Sequence, residues 1–71
     1  MFKELMNQEK QRARETYGSF NSLHEIYGVL AEETHEFFDE VRKKPDDRDG
    51  NNLLSELVQI AATAEMAAED L

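Results

Sequence analysis

The sequence has no cysteine and no tryptophan, one proline and three glycines. Without cysteine there is no disulfide, no thiolate metal site and no cysteine nucleophile. So few prolines and glycines leave little of the punctuation a β-rich chain needs. The residues that remain are largely helix formers, which makes an all-α fold the expectation. No stretch approaches the ~18 consecutive apolar residues of a membrane span, and Met1–Lys10 mixes charges into its apolar positions, unlike a signal peptide. A cytoplasmic protein without membrane contact is therefore expected. Positive charge is also scarce, with 8 Lys and Arg against 16 Asp and Glu and a formal net charge of −8. That balance repels a phosphate backbone, so direct binding of duplex DNA or RNA is not expected. A nucleotide is admissible only where the negative charge is screened, ordinarily by a divalent cation.

With 71 residues, the chain fits a single domain, residues 1–71, with a thin core. Phe2, Leu5, Met6 and Ala13 recur at helical spacing and predict a first helix from Phe2 to about Thr16, although Glu9 interrupts the stripe. Residues 17–21, Tyr-Gly-Ser-Phe-Asn, read as a turn. Ser22 with Glu25 forms a capping box that starts a second helix. Leu23, Ile26, Tyr27, Leu30, Thr34, Phe37, Phe38 and Val41 give that helix its apolar stripe. Arg42, Lys43 and Lys44 suit its C-terminus, and Pro45 prevents its continuation. Residues 46–52 form a polar connector in which Asp49, Asn51 or Asn52 can cap a third helix. That helix runs from about Leu53, with Leu53, Leu57, Ile60, Ala64, Ala67 and Leu71 on one side. The short connector makes the second and third helices antiparallel neighbours. Three helices leave an apolar side uncovered, so the bundle is expected to be completed by oligomerisation. The alanines at 61, 62, 64, 67 and 68 permit close helix approach.

At 100° per residue, Glu33 and Glu36 lie on one flank of the second helix's stripe, and Glu56, Gln59 and Thr63 lie on one flank of the third helix. Packing the two helices brings these groups around one small volume. Glutamates on a helix are ordinarily solvated surface. Here, however, the two flanks match and no basic residue is spaced to neutralise Glu33 or Glu36 within the helix. Crowded carboxylates repel one another unless a cation compensates, and their hard oxygens suit Mg²⁺ or Mn²⁺. His24 and His35 are about 16 Å apart along the helix and cannot share an ion.

The run Glu32-Glu33-Thr34-His35-Glu36, followed after residues 37–55 by Glu56-Leu57-Val58-Gln59, resembles the EExxE…ExxD signature of the MazG-like all-α nucleoside triphosphate pyrophosphohydrolases. The resemblance covers residues 20–71, and Asn21-Ser22-Leu23-His24-Glu25 is similar to short phage-type members. It implies hydrolysis of a nucleoside triphosphate, ribo or deoxy, to the monophosphate and pyrophosphate, by a homodimer or homotetramer. It also implies Mg²⁺, or Mn²⁺, held by Glu33, Glu36 and Glu56. Gln59 occupies the position of the signature's aspartate, where a neutral amide oxygen is a poorer ligand. The departure leaves open a non-catalytic nucleotide- or protein-binding oligomer of the same fold. In an active enzyme, Glu32 or a ligand glutamate such as Glu36 would orient or deprotonate the attacking water. Phe20 and Asn21 in the turn, with His24 near the helix start, are candidates for the base or ribose, and Lys44 for the phosphate tail.

Overall fold

The computed structural model describes residues 1–71 and is all-helical. Helix α1 spans Phe2–Tyr17, α2 spans Leu23–Val41, a single 3₁₀ turn covers Pro45–Asp47, and α3 spans Gly50–Asp70. Each boundary has a local cause. Gly18 ends α1 with φ 75°, a left-handed conformation that suits glycine, and its N–H donates to the Arg14 carbonyl. Ser22 Oγ accepts from the Glu25 N–H at 3.0 Å and starts α2. The Glu25 carboxylate accepts in turn from the Asn21 N–H at 3.1 Å. Among the three candidate caps of the last helix, Asp49 takes the role, accepting from the N–H groups of Asn51 and Asn52. Helix α3 therefore starts at Gly50, three residues before the apolar pattern becomes visible.

Both other helices pack on α3, and the backbones of α1 and α2 do not approach each other. Lys10 pairs with Glu65, and Arg14 with Asp70, so α1 runs parallel to α3. Glu33 meets Thr63, and Glu40 meets Asn52, so α2 runs antiparallel to it, as the short connector predicts. The resulting molecule measures 39 × 27 × 18 Å, and its smallest dimension is less than two helix diameters.

Only six residues are buried, four of them apolar: Val58, Ala62, Met66 and Ala67, all on α3. Only Ala67 belongs to the expected stripe, of which Leu53 and Ile60 are partly covered. Leu57 and Leu71 are exposed, and so is Ala64. The reason is that α3 carries two neighbours on its alanine- and threonine-rich side, where small side chains let both helix backbones come close. The stripe of α2 divides likewise. Ile26, Leu30, Phe37 and Val41 are partly covered, whereas Leu23, Tyr27, Thr34 and Phe38 face outward. Helical spacing puts the outward groups of α2 and α3 on the same side of the layer.

Candidate functional site

On the other side of the layer, α1 and α2 diverge above α3 and leave a groove of about 550 Å³. Its floor is Gln59, Ala62, Thr63 and Met66, and its closed end is the turn Tyr17–Asn21. Glu9, Arg12 and Ala13 form the α1 wall, and Glu25, Val29, Glu32, Glu33 and Glu36 form the α2 wall. The volume lies within the usual range for small-molecule sites.

Glu33 is half-buried at the base of the α2 wall. Its Oε2 accepts from Thr63 Oγ1 at 3.1 Å. Its Oε1 is buried and has no partner. Desolvation pushes the Glu33 pKa up to about 7 against the hydrogen bond from Thr63, with further upward contributions from the charges of Glu36, Glu56 and Glu9. Glu56 on α3 behaves similarly: its Oε2 is buried and unpartnered. Burial, then the charge of Glu36 and the hydrogen bond it shares with that residue, hold Glu56 above the ordinary carboxylate range. No Lys or Arg forms an ion pair with Glu33, Glu36 or Glu56.

Glu33, Glu36 and Glu56 lie near enough across the α2–α3 contact for their charges to act on one another; Glu33, Glu36 and Gln59 line the groove, and Glu56 does not. Two orphaned carboxylate oxygens suit a hard cation in kind. As the side chains stand, no three acidic or imidazole groups converge closely enough to enclose an ion. Glu36 is exposed and has the rotamer freedom to turn inward. Glu32 is an exposed member of the groove wall.

Phe20 and Asn21 line the closed end of the groove; His24 and Lys44 do not line it. His24 follows the α2 cap on an exposed face, and Lys44 lies past the opposite end of that helix, before the 3₁₀ turn. His35 is also outside the groove, on the exposed face of α2, with its Nε2 3.8 Å from Asp39.

The α1 wall was not anticipated as part of a site. Glu9 grips Arg12 through Nε at 2.8 Å and Nη2 at 2.6 Å, and that contact lowers the Glu9 pKa. The sequence carried a trace of this wall: Glu9 interrupts the apolar stripe of the first helix because that position looks into the groove.

Comparison with family models, curated proteins and solved structures gave no match. The functional reading therefore rests on the groove and its carboxylates.

Proposed function

We propose that this chain is a divalent-cation-dependent nucleoside triphosphate pyrophosphohydrolase of the MazG-like kind, converting an NTP or dNTP to the monophosphate and pyrophosphate. The observation that carries the reading is the pair of buried, unpartnered carboxylate oxygens on Glu33 and Glu56. Both interact with Glu36, and Glu33 and Glu36 line a groove large enough for a nucleotide. Glu33, Glu36 and Glu56 would hold Mg²⁺ or Mn²⁺, with Gln59 in the fourth position. When bound, such an ion neutralises phosphate charge and favours attack at phosphorus.

The chain's own groups supply the rest. Phe20 and Asn21 at the closed end receive the base or ribose, which points the phosphates toward Glu33 and Glu36. Glu32 or Glu36 accepts a proton as the water oxygen bonds to the α-phosphorus. The bond from that phosphorus to the α–β bridging oxygen breaks, and pyrophosphate leaves with the electron pair. Thr63 keeps Glu33 oriented through its hydroxyl.

Pyrophosphate release from a panel of ordinary and modified triphosphates tests the reading. Release with Mg²⁺ or Mn²⁺, lost in Glu33→Gln and Glu56→Gln by more than about a hundredfold, is the expected result. No release and no binding across the panel overturns it.

Gln59 favours a second reading, a nucleotide- or protein-binding oligomer without turnover, because it places an amide where a fourth carboxylate would strengthen cation binding. Calorimetric binding without release selects that reading, and a gain of release in Gln59→Asp identifies the missing charge as the defect.

Both readings include a homodimer or homotetramer. Its support is the outward side of α2 and α3, where Leu23, Tyr27, Phe38, Leu57 and Leu71 are exposed together. Sedimentation of Tyr27→Glu and Leu57→Glu tests it, with dissociation to monomers expected.

A further inference from the structure

A triphosphate brings more negative charge than one divalent ion offsets, and an acidic groove must supply a second cation from the protein. Arg12 is the only basic residue lining the groove. Lys10 and Arg14, its neighbours on α1, are committed to Glu65, Glu69 and Asp70 of α3. Arg12 thus remains on the α1 wall of the groove whose α2 wall carries Glu32, Glu33 and Glu36.

The state of the guanidinium fits the role. Glu9 holds Nε and Nη2, and Tyr17 is the one other side chain that interacts with the guanidinium. The Arg12 side chain is 57% exposed, while that of Glu9 is 18% exposed. A half-covered carboxylate thus orients a guanidinium that remains accessible. Arginine's planar fork matches phosphate oxygens better than a lysine ammonium does.

We infer that Arg12, oriented by Glu9, binds the pyrophosphate end of the polyphosphate chain from the α1 wall, opposite the carboxylates of the α2 wall. This inference rests on the nucleotide reading above and assigns it a substrate-binding residue outside the acidic motif. Arg12 selects triphosphates over monophosphates, and Glu9 is a positioning residue acting through it.

Calorimetry of the full chain with Mg²⁺ and inorganic tripolyphosphate tests the assignment without requiring the correct base. Orthophosphate serves as the short comparison, and circular dichroism checks the fold of each variant. Arg12→Gln is expected to weaken tripolyphosphate binding by about tenfold to a hundredfold, the size of a lost charge-assisted contact, with little change for orthophosphate. Arg12→Lys recovers part of the loss, Glu9→Gln shows a smaller one, and Lys44→Gln shows none. If wild type binds tripolyphosphate, Glu33→Gln abolishes binding and Arg12→Gln leaves it unchanged, the role of Arg12 is overturned while the carboxylate site stands. If wild type shows no Mg²⁺-dependent binding of tripolyphosphate, the underlying reading fails and the inference falls with it.

Discussion

The carboxylates of this chain fall into two regions with opposite electrostatics. At the ends of the helices, each buried or bridging acid is met by donors. Glu40 accepts from the Asp49 N–H at 3.1 Å, Lys43 Nζ at 3.0 Å and Asn52 Nδ2 at 3.3 Å. Asp70 accepts from both terminal nitrogens of Arg14 and from the Phe20 N–H. The donors around Glu40, led by the Asp49 N–H, and the Arg14 contact at Asp70 hold both groups below their ordinary pKa values. Along the α2–α3 contact, Glu33 at the groove wall and Glu56 outside the groove lining are shifted the other way, chiefly by desolvation. The same residue type on the same helices thus serves two ends, and acidic density does not separate them. What separates them is whether a donor is supplied, and the α2–α3 contact lacks one on each orphaned oxygen.

That contrast can be broken by substitutions of matched chemistry. The largest effect is expected for Glu40→Ala, which strands the Asp49 N–H and unties the start of α3. A fall in melting temperature of roughly 10 °C is expected for a domain of this size, and an unchanged melting curve would remove the distinction between the regions.

Glu33 should respond in the opposite direction. Its folded pKa is raised, so the protonated form is the one folding favours. Glu33's contribution to metal-free stability is therefore fully present below about pH 4.5, the ordinary value, and is lost as pH rises through about 7. The shift corresponds to roughly 3 kcal/mol, reduced to on the order of 2 kcal/mol by water reaching the groove. Denaturant titrations from pH 5 to 8 should show this decline in wild type and a smaller one in Glu33→Gln, where the raised Glu56 remains. The end-region acids carry the reverse sign. With their folded pKa values lowered, the stability contributed by Glu40 and Asp70 is present above their ordinary values and is lost as pH falls through the folded ones.

A smaller change is expected for Arg14→Gln, which detaches Asp70 and Glu69. Loss of about 3 °C in thermal unfolding, shrinking in high salt, fits a partly exposed pair. The smallest belongs to His35→Ala on the exposed side of α2, for which thermal scans should be indistinguishable from wild type.

The helices themselves were legible because their signals are local. Ser22 with Glu25, Pro45 and the polar connector mark boundaries through capping and steric rules that need no tertiary partner. The mutual nearness of Glu33, Glu36 and Glu56 was also legible, since angular position on two adjacent helices follows from spacing, but their side chains do not converge on one point. The packed side of α3 was not. Its bulkiest apolar row, running through Leu57 and Leu71, suggested a core, yet two flanking helices prefer the flatter row of Ala62 and Thr63. Periodicity identifies an apolar side without saying which neighbour covers it. Arg12 was missed for a related reason: its place in the wall facing α2 depends on α1 lying parallel to α3, and no local pattern encodes that pairing.

Because the backbones of α1 and α2 pack on α3 and not on each other, the order of synthesis acquires meaning. Both walls of the groove precede their common floor in the chain, and the Lys10–Glu65 contact spans 55 positions. A nascent chain that has not yet extruded the stretch around Ala62 has two helices with nothing to hold them in register, and no groove. The carboxylates meet only when that last support arrives, so the crowding of like charges and the scaffold that enforces it come into being together.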